Sequence, residues 1–331
     1  MNNNKRKFVS LGLIILGGIL VGVAIILLSI KKPLTKTTWK FQSIDTMKYS
    51  RDVAREKLGS KKFDVVIDKQ VKEIADTGAT HIALATPYDE EFLAFLKRWV
   101  KTARKYNLKV WFRGNFSGWE GWFDYSKMTR DEHLKKTQDF IINNVSLFEN
   151  GDVFTACPEC ENGGPGDPRM NGDVEGHRKF LIDEYKVTKA AFGKINKNVA
   201  SNYDSMNMDV AKTVMDAPTT AALDGIVTVD HYVKTPELLK SDIDFVAAQS
   251  GGKVVLGEFG APIPDITGDM TDSEQSAWLL SVLNLLKTDS NVIGLNYWVG
   301  EGGSTELWNS DGTAKPAVNT LKSIYIDSQN N

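Results

Sequence analysis

Eight short apolar runs, each followed by a stretch of helical periodicity or loop, constrain the fold of this chain more than any other feature. The runs span Phe41 to Asp45, His81 to Thr86, Lys109 to Arg113, Asp152 to Cys157, Val199 to Asp204, Gly225 to His231, Lys253 to Glu258 and Val292 to Trp298. Between them, DVVIDKQVKEIADTG, EEFLAFLKRWVKTARKY, EHLKKTQDFIINNVSLF, KFLIDEYKVTKAAFGKI, PELLKSDIDFVAAQS and SEQSAWLLSVLNLLK repeat apolar residues three and four apart, the spacing of one helix face. A shorter helix is expected near Asp209 to Met215. Asp89 suits an N-cap, Thr271 with Glu274 reads as a capping box, and Gly78 suits a helix stop. Eight strand–helix alternations within residues 39–331 predict an α/β fold, specifically a (β/α)8 TIM barrel. A doubly wound open sheet is the alternative, but no Gly-x-Gly-x-x-Gly follows an early strand.

A second feature sits ahead of the barrel. Phe8 to Ile30 is 23 residues without a charge, more than the ~20 that carry a helix across a bilayer core. We expect a transmembrane anchor at residues 8–30. A cleaved signal peptide would have an apolar core of only ~7–15 residues and a small-x-small cleavage site, and neither is present. Lys5, Arg6 and Lys7 favour a cytoplasmic N-terminus at residues 1–7, although Lys31 and Lys32 beyond the span weigh against it. A polar linker at residues 31–38 then leads to an extracellular domain at 39–331, and the expected partners are the lipid bilayer and an extracellular ligand.

Charge narrows the function. Five of the 40 basic residues lie within the first 32 positions and none of the 42 acidic ones does, so the remainder is mildly acidic. Such a surface is a poor nucleic-acid binder. The only cysteines, Cys157 and Cys160, form CPEC. This is a redox pair or half a metal site on one reading, and a local disulfide or two unpaired thiols on the other. No second Cys or Cys/His pair completes a zinc site and no His-x-His occurs, so neither a metal nor a cofactor is expected.

In a (β/α)8 barrel the active site lies at the C-terminal ends of the strands. Here those ends read WFRGNFSGWEGWF, TACPECENGG, SNYDS, VDHYV, GEFG and NYWVGEG for the third to eighth runs. Glu159 or Glu161 follows the fourth run and Glu258 closes the seventh, so two carboxylates face each other across the mouth. Cleaving a glycosidic bond needs that pair, one to protonate the leaving oxygen and one to attack the anomeric carbon or activate water. Arg113 stands where it can hold Glu258 ionised, or else pairs with Asp124 or Glu120. Trp119 and Trp122, with Phe116, Phe123 and Tyr125, either stack on sugar rings or pack as a small satellite core. Asn115 and Asn202 are further candidate substrate ligands, Trp111 is expected in the core, and the glycines flanking Glu258 are expected to let a substrate approach.

An acid/base glutamate after the fourth strand, GEFG after the seventh, a His–Tyr element after the sixth and a Trp closing the eighth resemble the clan A glycoside hydrolases, especially glycoside hydrolase family 5. The tail LWNSDGTAKPAVNTLKSI resembles the stretch leading into their last helix. The resemblance runs from about Trp39 to Ile326 and implies a retaining glycosidase acting on β-linked oligo- or polysaccharide. It implies Glu258 as nucleophile, Tyr232 as its hydrogen-bonding tyrosine, Trp298 as the floor of the reacting subsite, and His231 as a looser substrate-binding match. Clan A enzymes usually carry Asn-Glu after the fourth strand, a pattern this chain departs from with Pro158-Glu159; counting from the start of the strand makes Glu159 the expected acid/base and Glu161 the alternative. An envelope transglycosylase, a non-catalytic carbohydrate-binding barrel and a redox protein stand as the other readings.

Overall fold

A computed structural model describes residues 39–329. The expected anchor at residues 8–30, its cytoplasmic flank and the linker to residue 38 lie outside the described residues. Among the described residues no helix is long and apolar enough to cross a membrane.

Eight parallel strands form one curled sheet: β1 (Phe41–Asp45), β2 (His81–Leu84), β3 (Lys109–Phe112), β4 (Val153–Phe154), β5 (Ser205–Asn207), β6 (Ile226–Asp230), β7 (Lys253–Phe259) and β8 (Val292–Tyr297). Their order is β4-β3-β2-β1-β8-β7-β6-β5. β4 is bridged to the segment that leads into β5: Phe154 N donates to Ala200 O at 2.8 Å and Ala200 N to Asp152 O at 3.0 Å. The ring of a (β/α)8 barrel is thereby closed, as the alternation predicts.

The main helices occupy the periodic stretches. They are α1 (Asp64–Asp76), α2 (Glu90–Lys105), α3 (Arg130–Asn143), α4 (Val174–Lys194), α5 (Met208–Val214), α6 (Ala217–Ala222), α7 (Pro236–Ser250), α8 (Asp272–Leu286) and α9 (Pro316–Gln329). The Thr271–Glu274 capping box forms, and Gly78 adopts a left-handed φ of 81° at the end of α1. Asp89 precedes α2 with extended backbone, but its side chain does not cap that helix. It accepts from Ser117 N at 2.8 Å instead, tying down the loop after β3.

The fifth strand departs from expectation. It lies at Ser205–Asn207 rather than Val199 to Asp204. In the expected span Ala200 supplies the closing bridge, and the buried Asp204 carboxylate accepts the N–H groups of Ala156 and Cys157 at 2.8 and 3.2 Å. A side chain there takes the place of a ladder carbonyl, which hydrophobic patterning cannot reveal. The second strand also ends early, at Leu84, and the fourth is two residues long.

Inward-facing residues set the depth of the site. Phe41, Ala83, Trp111, Val153, Tyr203, Ile226, Val255 and Ile293 form an apolar plug, so Trp111 is core as expected. One layer toward the C-terminal ends the inward positions turn polar: Ser43, Asp45, Arg113, Thr155, Ser205, Thr228, Asp230 and Asn296, all buried. Apolar burial below and polar convergence above is the arrangement that carries chemistry at the top of such barrels.

Gly257 marks the join. A Cβ built there would lie 2.3 Å from Asp230 Oδ1 and 2.9 Å from Ser205 Cβ. Gly257 therefore makes room for the protein's own polar layer, and Gly260 for the backbone after β8, where a Cβ would meet Trp298 O at 2.4 Å; the space expected for a substrate is filled by protein at both. Replacement Gly257→Ala should lower the thermal midpoint by the equivalent of ~1–3 kcal/mol through overpacking. Gly193→Ala, in α4 with nothing within 4 Å, should leave the midpoint unchanged or raise it. Equal effects would show that the space at Gly257 is not occupied in this way.

Candidate active site

The chain reaches the mouth through Arg113, the residue after β3. Its guanidinium is fully buried and serves two sides of the barrel. Nη1 donates to Asp45 Oδ2 and to Glu258 Oε1, each at 3.0 Å. Nη2 donates to Ser205 Oγ at 3.0 Å and to Asp230 Oδ2 at 2.9 Å. Asn296 extends the network, donating to Asp45 Oδ2 at 3.0 Å and to Gly257 O at 2.8 Å. The expectation that Arg113 supports Glu258 holds in geometry, and the pairing with Asp124 or Glu120 does not occur.

Glu258 enters this network because β7 is irregular. Val255 points into the apolar plug and Gly257 toward Asp230, whereas Val254 and Leu256 face the outer core. Strict alternation would place Glu258 with the latter pair. A register shift pairs Val229 with Leu256 but Asp230 with Glu258, and a bulge of this kind re-aims a side chain. Glu258 then takes Arg113 on Oε1 and the Tyr232 hydroxyl on Oε2 at 2.7 Å. Tyr232 packs edge-on against Trp298, with centroids 5.8 Å apart.

Glu159 arrives from the opposite side. The turn after β4 puts it in left-handed backbone, φ 47° and ψ 53°, with its N–H donating to Ser205 O at 2.7 Å. Its carboxylate accepts from Asn162 Nδ2 at 2.8 Å. Cys157 and Cys160 are joined in a disulfide that brackets Pro158 and Glu159, the local-disulfide alternative for CPEC. Because the chain turns here, Glu159 and Glu161 do not point the same way as an extended chain would require. Glu161 is buried and accepts from Asn207 N at 2.7 Å and Asn207 Nδ2 at 3.1 Å, away from the mouth.

A cleft of about 600 Å³ opens over these groups, lined by Arg113, Glu159, Asp230, Tyr232, Glu258 and Trp298 with Met47, Arg51, Glu120, Trp122, Pro158, Asn162 and Ile263. Several expected ligands are elsewhere. Trp119 is buried, stacked on Phe180 at 4.8 Å with its Nε1 donating to Cys160 O at 3.1 Å. Phe116 and Phe123 pack on Tyr88 and Phe92, so most of the aromatic loop is satellite core and only Trp122 reaches the cleft. Asn115 lies behind the wall, Asn202 donates to Leu223 O at 2.8 Å, and His231 is bound to Asp242 on α7 at 2.8 Å. Asp45, Asp230 and Ser205 were missed as site residues. Asp45 and Asp230 close their strands, so the strand-end rule that found Glu258 also contained them.

Electrostatics separate the two glutamates. Burial raises both above the usual carboxylate range. Glu159 is pushed up further by the charges of Glu258 and Glu161; Arg113 lowers it only from a distance, and among the described residues no cation is hydrogen-bonded to it. Glu258 is pushed up by Asp230 and Asp45 but pulled back by Arg113 and the Tyr232 hydrogen bond. Of the pair, Glu258 is the one held toward the ionised form and Glu159 the one that keeps a proton.

No family model matches the chain, and no curated protein does. Solved structures share its fold. A GH5_18 protein from Bifidobacterium longum subsp. longum in complex with Manb1-4GlcNAc superposes with a TM-score of 0.61 at 12% identity, over 88% of this chain and 78% of that one. The β-glycosidase BGL167 gives 0.58 at 13% over 80% and 86%. A β-glucuronidase from Ruminococcus gnavus in complex with D-glucuronic acid gives 0.55 at 13%, over 79% of this chain and 45% of that one. What the chain shares with these proteins is the (β/α)8 barrel fold. The chain spans about half the length of the glucuronidase structures it matches.

Removing Arg113 leaves three buried carboxylates without their cation, which costs on the order of 3–5 kcal/mol. We expect Arg113→Met to lower the urea midpoint strongly at pH 8 and less at pH 5. Burial already raises Asp230 and Glu258 above their unfolded values, and more so without the guanidinium, so the penalty is full above the folded values and shrinks as protonation proceeds. A pH-independent loss would show that the network is held together by packing alone.

Proposed function

We propose that the chain is a retaining glycoside hydrolase acting on β-linked oligo- or polysaccharide. Glu258 is the nucleophile and Glu159 the general acid/base. The single observation that carries this reading is one cleft holding two carboxylates in opposed environments, one bonded to a guanidinium and a phenol and the other without a cation. Attack on an anomeric carbon needs an ionised carboxylate, while departure of the sugar oxygen needs a proton donor. The fold relationship to a β-glycosidase and to the GH5_18 structure supports the same class.

Each group then has a role. Tyr232 and Arg113 hold Glu258 along the line of attack and stabilise its charge. Trp298 offers an aromatic face beside them, suited to the apolar C–H face of a pyranose. In the first step the Glu258 oxygen bonds to the anomeric carbon as Glu159 transfers its proton to the leaving oxygen. In the second, ionised Glu159 takes a proton from water, which displaces Glu258. The apolar residues 8–30 support a single-pass anchor with the barrel outside the cell.

Two measurements test the assignment. Glu258→Gln should reduce kcat/KM on a β-glycoside by several orders of magnitude while leaving the fold intact. Wild-type turnover by that variant would rule out the nucleophile. The wild-type pH profile should be a bell, its acid limb from protonation of Glu258 and its alkaline limb from loss of the Glu159 proton. With an activated aryl leaving group Glu159→Ala should lose the alkaline limb and gain rate from added azide. An unchanged alkaline limb would assign the proton to another group.

A further inference from the structure

Beside the reacting carboxylates the cleft holds three side chains that the reaction does not use, Arg51, Glu120 and Trp122. Arg51 lies across the Trp122 ring with its guanidinium carbon 4.6 Å from the centroid. Its Nε donates to Asp52 at 2.9 Å, and neither terminal nitrogen has a partner among the described residues. Glu120 is the complement. Its Oε1 accepts from Asn115 Nδ2 at 2.8 Å, and its Oε2 has no donor among the described residues.

Glu120 is held on purpose-built support. The Asn115 carbonyl oxygen accepts from Phe116 N and from His133 Nε2, both at 2.8 Å. The other ring nitrogen of His133 is bound to the Glu184 carboxyl. Asn115, His133 and Glu184 are completely buried. With its oxygen doubly occupied, Asn115 has only its amide N–H groups to turn toward Glu120, so Glu120 is fixed as an acceptor facing the cleft. Asn115 thus enters the site as a positioning residue, through Glu120.

We infer that Trp122, Arg51 and Glu120 form a second sugar subsite that takes a neutral pyranose, next to the subsite over Glu258. An indole face, a two-nitrogen donor and a free carboxylate oxygen suit a ring that offers an apolar face and vicinal hydroxyls, one accepting from Arg51 and one donating to Glu120. An acidic sugar fits poorly. Arg51 shares Asp52 with Lys48, Arg113 is occupied by three carboxylates, and the cleft lining sets Glu120, Glu159, Asp230 and Glu258 against Arg51 and Arg113. The uronic acid in the glucuronidase structure therefore does not transfer to this cleft along with the fold.

The inference names the substrate class of the proposed hydrolase, so its test reads binding and not turnover. Calorimetric titrations would use the full-length protein carrying Glu258→Gln, with neutral β-linked glucose and mannose oligomers of one to four units and with the matching uronic acid oligomers. Affinity for a neutral series should rise ~10-fold or more as the chain grows to reach the second subsite, the worth of a hydrogen bond to a charged group. Adding Glu120→Gln or Arg51→Met should each remove most of that rise, with the melting midpoint unchanged. Tighter binding of the uronic oligomers, no gain with chain length, or a gain kept by both variants would overturn the subsite. Turnover of an aryl monoglycoside by the wild type together with any of those results would remove the subsite and leave the hydrolase standing.

Discussion

The buried guanidinium of Arg113 is the contact on which the top of the barrel depends. Asp45 comes from β1, Asp230 from β6 and Glu258 from β7, and all three carboxylates meet one side chain that follows β3. Without that cation, three buried carboxylates would crowd one another with no counter-charge, which costs several kcal/mol. With it, strands from opposite sides of the ring are tied at the level where a ligand is received. The same contact separates the two cleft glutamates, because Glu258 is bonded to the cation and Glu159 feels it only from a distance.

Shape and charge reinforce each other here. The apolar plug of Phe41, Trp111 and Tyr203 fills the barrel below, so the polar layer cannot sink and its members must satisfy one another. Gly257 leaves the space that Asp230 and Ser205 fill, and the register shift beside it swings Glu258 toward the mouth. On the other side, left-handed backbone and a disulfide shape the tight turn that presents Glu159. Both irregularities lie beside the carboxylates proposed to react, in keeping with the tendency of bulges and unusual backbone to collect near active sites.

Much of this was legible in the sequence, and the boundary is physical. Period-2 and period-3.6 patterning located the ring because burial alone dictates those periods, strand-end position pointed to Arg113 and Glu258, and Tyr232 and Trp298 came from the family resemblance. Patterning could not see that Glu258 needs a bulge to face inward, since the residue sits on the wrong parity of its own strand. Nor could it see that Asp204 replaces a ladder carbonyl, which displaced the fifth strand. Trp119 and Trp122 stand three residues apart in one aromatic loop. One is core beneath Phe180 and the other lines the cleft, because the loop folds back on α4, a tertiary choice that composition does not encode. His231 and Tyr232 lie just past the end of β6, where the His231 ring turns to Asp242 on α7 and the Tyr232 hydroxyl to Glu258.

The central claim is that Glu258 forms a covalent bond to the sugar while Glu159 handles the proton. Incubating the protein with a 2-deoxy-2-fluoro glycoside of the sugar it cleaves, which slows release of the intermediate, and mapping the adduct by peptide mass spectrometry tests this directly. The account predicts one sugar added per chain, on the Glu258 carboxylate. An adduct on Glu159 or Glu161, or turnover that inverts the anomeric centre with no adduct at all, would contradict it.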